Sequence, residues 1–177
     1  IINQKKRSGL SVSQISEAIR KFDPKIVGIT SPSTTHAQDV HETVEIIKSI
    51  NPKIVIVVGG AHASSNPGEI LKDKNIDIAV IGEGEETFLE IVRRLDSGGN
   101  LTDILGTAIR RNGSVFKNEP RPFIENLDIL PFPDRESLPM DSYTKIYDSG
   151  MNYAMRRPFT TMISSRGCPG DCIYCAV

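Results

Sequence analysis

The stretch KIVIVVGG, residues 53–60, decides the fold. Ile54 to Val58 are consecutive, apolar and β-branched, which is the composition of a strand buried on both faces. Asn51-Pro52 ends whatever precedes it, and Gly59-Gly60 opens a turn behind it. Such a strand needs neighbours in the sheet and cover on both sides.

Working outward, two further runs supply the neighbours. KIVGIT (25–30) and DIAVIG (77–82) are short, mostly apolar and rich in β-branched residues. Helical patterns lie between and around them. SVSQISEAIRKF (11–22) puts Val12, Ile15, Ile19 and Phe22 on one face, pairs Ser11 with Gln14 as a capping box, and stops at Asp23-Pro24. HAQDVHETVEIIKSI (36–50) repeats the spacing with Val40, Val44, Ile47 and Ile50. A short helix is predicted to begin at Asn66-Pro67, and EGEETFLEIVRRLDSGG (83–99) turns Phe88, Ile91, Val92 and Leu95 inward before Gly98-Gly99. Alternating strands and helices with two-faced apolar strands predict an α/β fold: a Rossmann-like, doubly wound parallel sheet over residues 1–100. In such sheets ligands sit beyond the carboxyl ends of the strands, so TSPSTTH (30–36), GGAHASS (59–65) and GEGEE (82–86) are the candidate binding loops.

The pattern changes after residue 100. GTAIRRNGSVFKNEP (106–120) reads as a hairpin about Asn112-Gly113, and RPFIENLDILPFPDRESLP (121–139) is proline-rich and aperiodic. Residues 101–155 are therefore expected to form a hairpin and an ordered linker. RRPFTTMISS (156–165) again reads as a strand, and residues 156–177 as the start of a further domain.

Composition narrows the partners. With 21 Lys and Arg against 22 Asp and Glu, the net charge of -1 offers no footprint for nucleic acid, and the KKR at 5–7 reads as a solvated turn. No apolar run has the length of a membrane span, and no signal peptide is visible. The first residue is Ile1 rather than Met, which reads as a fragment lacking its first strand.

All three cysteines fall within RGCPGDCIYC (166–175), as Cys168, Cys172 and Cys175 in the spacing CxxxCxxC. Three thiols make a poor disulfide framework and suit cofactor ligation in a reducing, cytoplasmic setting. Thiolates hold iron-sulfur clusters, and three on one loop leave one iron of a 4Fe-4S cubane open. A zinc site needs a fourth ligand, which the two residues after Cys175 do not supply.

The cysteine motif, with Tyr174 at its aromatic position, resembles the signature of the radical S-adenosylmethionine superfamily. That resemblance implies Cys168, Cys172 and Cys175 as cluster ligands and Tyr174 beside the adenine of S-adenosylmethionine. It also implies that residues 156–177 are the first strand and cluster loop of a truncated (β/α) barrel. PKIVGITSPSTT, IVVGGAHASSNPGEIL, DIAVIGEGEETFLEIV and IENLDILPFPDRESLPMDSY resemble the cobalamin-dependent members, most closely the group around the anaerobic magnesium-protoporphyrin monomethyl ester cyclase. Ser31 to Ser33 falls near the family's SxL element, with Ser in place of Leu, and Gly59-Gly60 matches its GG; a DxHxxG element would precede residue 1.

A corrin needs a floor of small residues and a slot for its nucleotide tail. Ser31, Ser33, Thr34 and Thr35 can supply hydroxyls there, Gly59, Gly60 and Ala61 clear space, and Gly82, Glu83 and Gly84 offer close backbone approach. Glu83 and Glu85 read equally as helix-dipole complements. His36 and His62 fall in the ligand-facing loops, where contact with the corrin edge or tail is expected rather than cobalt ligation, and His41 reads as solvated. The parent enzyme implied is one that forms a 5'-deoxyadenosyl radical to methylate or cyclise a small-molecule substrate, fed by a donor such as flavodoxin or ferredoxin. A module for another nucleotide, or a binding scaffold, is the alternative; no GxGxxG is present.

Overall fold

The computed structural model describes residues 10–140 together with 163, 165–168, 170 and 173. The KKR turn, Tyr174, Cys172 and Cys175 lie outside the described residues, as does most of the stretch read as a strand at 156–165. Its two described members, Ile163 and Ser165, are not in a strand.

The elements run α1 (Val12–Phe22), β1 (Ile26–Thr30), a 3-10 turn (Thr34–His36), α2 (Ala37–Ile50), β2 (Val55–Gly59), α3 (Ala61–Ser65), α4 (Pro67–Ile70), β3 (Ile78–Val80), α5 (Glu85–Asp96), β4 (Thr107–Arg111) and β5 (Ser114–Lys117). A second 3-10 turn, Leu127–Ile129, follows. The chain forms two compact units, Ile1–Glu125 and Asn126–Val177. In the second, Asn126 caps its turn by accepting from the Asp128 N–H, and Asp134 accepts from the Ser137 N–H.

The sheet order is β1-β2-β3-β4-β5. β1 pairs with β2 in parallel from Ile26↔Val55 to Thr30↔Gly59, and β2 pairs with β3 in parallel at Val57↔Ile78 and Val58↔Ala79. The α/β, Rossmann-like sheet is therefore present, and its parallel part is three strands. The hairpin is not a separate linker element: β4 pairs antiparallel with β3, and β5 with β4. Thr107, Ala108 and Ile109 are buried, so β4 is an internal strand covered on both faces.

Two layers of helix cover the sheet. Both parallel crossovers advance along the sheet in one direction, so right-handed connections place α2 and the α3–α4 pair on the same face. There Val40, Val44 and Ile47 meet Ile56, Val58, Ala63, Ile70 and Ala79, with Ile19 of α1 beside them. The connection from β3 leads to an antiparallel strand, and α5 takes the other face, where Ile91 and Phe88 meet Val57, Ile78, Val80 and Ile109. Fully burying a valine or isoleucine side chain such as Val44 or Ile91 contributes roughly 1.5–3 kcal/mol, and this burial is the main force holding the layers together.

Local signals act as the sequence predicts. Ser11 and Gln14 form both bonds of the capping box, and Asn66 caps α4 ahead of Pro67. Asn112 and Gly113 both have positive φ, 51° and 79°, as the hairpin requires. Other ties are long-range. The Arg110 guanidinium of β4 donates to the carbonyls of Leu71, Asp73, Lys74 and Ile76, collecting the turn that follows α4. His41 is not simply solvated: its Nδ1 lies 2.9 Å from Asp73 Oδ2 of that same turn. On the α5 side, Arg121 bonds Glu90 and Thr87, and Glu90 is shared with Arg94, 2.5 Å away. The Arg121 and Arg94 guanidiniums hold the Glu90 carboxyl below its ordinary range against a smaller opposing effect of burial.

Candidate cofactor-binding site

Because β1, β2 and β3 are parallel, their carboxyl ends lie along one rim, and the loops 31–36, 60–65 and 81–84 meet there. The first two are joined through Ser31. Its N–H donates to the Gly59 carbonyl at 2.7 Å, and its carbonyl accepts the His62 N–H at 3.1 Å. Gly60, with φ 96°, fits under this junction; a Cβ there would stand 2.7 Å from the Ser31 carbonyl oxygen and 2.8 Å from Thr30 Oγ1. Only glycine fits. Gly59 is not under the same constraint, since a Cβ there would meet its nearest neighbour at 3.8 Å.

Residues 61–65 are helical rather than an open loop, which places Ala61 and Ser64 at the rim and turns His62 inward. Ser64 Oγ donates to the Gly60 carbonyl and accepts the Gly82 N–H at 3.0 Å, tying the second loop to the third. Sequence reasoning missed Ser64; its only signal is a hydroxyl one helical turn after Gly60.

The hydroxyl set divides into two. Ser33, Thr35 and His36 bond one another at 2.7–3.3 Å near the surface. Thr34 instead lies 3.2 Å from His62 Nδ1 through its Oγ1. Below it, Ser31 is fully buried and His62 is 3% exposed, and Ser31 Oγ and His62 Nε2 have no hydrogen-bond partner. Glu69 Oε2 lies 3.9 Å from His62 Nε2, beyond hydrogen-bond reach, and that oxygen already accepts from Asn66 Nδ2.

In the third loop, Gly82 has φ 75° and open space around its Cα, and Gly84 has an ordinary φ of -92°. Glu83 does not point wholly toward the rim: its Oε2 accepts the Ile124 N–H at 2.7 Å, fastening the segment after β5 to the start of α5. Glu85 and Glu86 occupy the first turn of α5, where acidic side chains complement the helix dipole.

Two buried polar atoms without partners, a backbone junction closed to any Cβ, and a rim of small residues make this corner the candidate floor of a ligand site. Among the described residues no group of three His, Cys, Asp or Glu side chains is placed to hold a metal ion. Cys168 is described by itself, exposed, with its Sγ accepting the Gly170 N–H at 3.4 Å. No helix among the described residues is long and apolar enough to cross a membrane.

The B12 binding domain family matches residues 3–92, which contain all three loops. An uncharacterized methyltransferase of Pyrococcus horikoshii is 40% identical over 94% of this chain and 34% of its own length. The anaerobic magnesium-protoporphyrin IX monomethyl ester cyclase of Rubrivivax gelatinosus is 33% identical over 94% of this chain and 29% of its own. The chain thus spans about a third of the length of these relatives. Among solved structures, the radical S-adenosylmethionine methyltransferase TsrM of Kitasatospora setae, with cobalamin and a 4Fe-4S cluster bound, superposes with TM-score 0.57 at 18% identity, over 66% of this chain and 22% of that one. The cobalamin-dependent radical enzyme OxsB with aqua-cobalamin bound gives 0.56 at 20%, over 65% and 16%. At these identities the structures speak for the fold, and the sequence match over the three loops speaks for the family: this chain belongs to the B12 binding domain family.

Proposed function

We propose that this chain binds cobalamin at the carboxyl ends of β1, β2 and β3 and forms the front portion of a radical S-adenosylmethionine enzyme. The observation that carries the reading is the Ser31–Gly60–His62 junction, with its two unpartnered buried polar atoms, inside the segment matched by the family. Ser31, Thr34 and His62 would form the floor of the site. Gly59, Gly60 and Ala61, with Gly82, Glu83 and Gly84, would form the rim, while Ser33 and Thr35 hold the first loop in shape through their mutual hydrogen bond.

Toward the end of the chain, Cys168, Cys172 and Cys175 would ligate a 4Fe-4S cluster, with Tyr174 beside the adenine of S-adenosylmethionine. The chemistry that these groups supply when bound is methyl or electron transfer at cobalt and one-electron cleavage of S-adenosylmethionine. The whole enzyme would methylate or cyclise a small-molecule substrate at an unreactive carbon. It would draw electrons from a donor such as flavodoxin or ferredoxin in the cytoplasm. The relatives named above, a methyltransferase and a cyclase, support both outcomes.

Titration with hydroxocobalamin, followed by visible absorption and gel filtration, tests the first part. A shifted corrin spectrum that co-elutes with the protein is expected; no shift and no retained corrin overturns it. Anaerobic reconstitution with iron and sulfide, in a chain extended to the length of its relatives, tests the second. A cubane signal that S-adenosylmethionine perturbs is expected, and its absence overturns the assignment of the cysteines.

A further inference from the structure

The segment after β5 starts at the rim end of the sheet, and its two parts are anchored differently. Rigid elements hold the first part. The Asn118 N–H donates to the Thr107 carbonyl at 2.9 Å, the Glu119 carbonyl accepts the Gly106 N–H at 2.8 Å, and Arg121 Nε donates to Thr87 Oγ1 of α5 at 2.8 Å. Gly106, with φ 70°, lets the segment and the helix approach; a Cβ there would stand 3.1 Å from Arg121 Cβ and from Thr87 Oγ1. The last part hangs on a loop instead. Ile124, half-buried beyond the exposed Pro122 and Phe123, donates its N–H to Glu83 Oε2 at 2.7 Å.

Where that anchor sits decides what it can do. Glu83 lies in the third rim loop, between Gly82, whose φ is 75° with open space around it, and Gly84, which caps α5 without a side-chain bond. Two glycines give the loop little stiffness of its own. Its order comes from partners: the Gly82 N–H bonds Ser64 Oγ on one side, and Glu83 bonds Ile124 on the other. Ile124 is also the last residue but one of the first compact unit, which ends at Glu125. One loop therefore serves both the rim and the point where the chain leaves that unit.

Two contacts that order the same loop are coupled, because a ligand that has already stiffened it leaves less entropy for the second contact to lose. We infer, on the cobalamin reading above, that Glu83 couples occupancy of the rim to the exit segment: cobalamin resting on loop 82–84 tightens the Glu83–Ile124 hydrogen bond and fixes residues 122–125. Coupling is reciprocal, so the fastened exit segment strengthens cobalamin binding by the same factor. Asn118 and Arg121, held by β4 and α5, stay outside it.

Residue-resolved hydrogen exchange of the chain, with and without saturating hydroxocobalamin, tests this, since exchange at an amide follows the population of its open form. The Ile124 amide is expected to exchange about fivefold or more slowly with the ligand, from the lower end of couplings between sites upward. The Ser114 amide, in the hairpin at the opposite end of β4 from Thr107, is expected to keep its rate. In Glu83→Ala the Ile124 rate is expected to be the same with and without ligand. Glu83 itself stands on the rim, so affinity is read in Ile124→Pro, which deletes the N–H and leaves Glu83 in place. Its affinity for hydroxocobalamin is expected to fall by the factor by which the ligand slows Ile124 in the unaltered chain. An unchanged Ile124 rate, equal slowing at Ser114, slowing that persists in Glu83→Ala, or full affinity in Ile124→Pro overturns the inference. The first comparison uses the unaltered chain, so it decides even where a variant does not fold. Failure of the unaltered chain to retain cobalamin overturns the cobalamin reading itself, and the absorption spectrum distinguishes the two.

Discussion

Gly60 lies directly beneath the backbone of Ser31, so close that a side chain of any size would stand 2.7 Å from the Ser31 carbonyl oxygen. That same carbonyl accepts the His62 N–H, so the contact closes the corner where β1 and β2 deliver their loops. Gly60→Ala combines this clash with a φ of 96° that L residues rarely adopt. A loss of at least about 2 kcal/mol is expected, read as a lowered urea midpoint, together with weaker cobalamin binding. A stable variant with unchanged binding would show that the corner is free to rearrange.

Glu83 acts away from the rim as well as beside it. Its carboxylate holds the Ile124 amide at 2.7 Å, and hydrogen bonds to charged groups are worth about 1.5–3 kcal/mol. Glu83→Ala is expected to accelerate hydrogen exchange at the Ile124 amide by about tenfold or more while core amides such as Val58 keep their protection. Exchange unchanged at Ile124 would mean that the segment is held without this bond.

The Glu90 cluster predicts acid sensitivity of a defined sign. Arg121 and Arg94 depress the Glu90 carboxyl, so the folded state binds its proton less readily than the unfolded chain does. The resulting stabilisation is fully present above the unfolded value, about 4.3, and is lost as pH falls through the lower folded value. Urea unfolding at pH 7 and at a series of pH values below about 4.5 should show this decline, and Glu90→Gln should flatten it. An identical pH profile in the variant would assign the acid sensitivity elsewhere.

Arg110 collects four carbonyls from the turn after α4. Arg110→Met keeps much of the apolar stem but leaves those oxygens without their donor. A loss of about 2–3 kcal/mol is expected by chemical denaturation, with the fold otherwise retained. A change under about 0.5 kcal/mol would show that water replaces the guanidinium without cost.

Much of this architecture is legible in short stretches of sequence because its causes are local. The capping pair Ser11 and Gln14, the Asn66-Pro67 start and the Asn112-Gly113 turn each act over two to four residues. The strands are legible because Ile56, Val57 and Val58 are buried on both faces. What is not legible depends on pairs far apart in the chain. The joining of the hairpin to β3 follows from Ala79 meeting Ala108, and the turning of Glu83 toward Ile124 spans 41 residues. At the site, Ser31, Gly60 and His62 are identifiable by residue type. That two of them are buried and lack partners follows only from α3 forming where a glycine-rich loop is predicted.

The number of strands after β3 sets where the chain emerges. β4 runs against the first three strands and β5 runs with them, so Lys117 ends at the same edge as Thr30, Gly59 and Val80. The segment that follows is then pinned by Glu83 at that edge. Strand parity thus acts as an address: an even count of added strands returns the polypeptide to the edge where the three loops meet. One strand more or fewer would export it from the opposite end, a full strand length away.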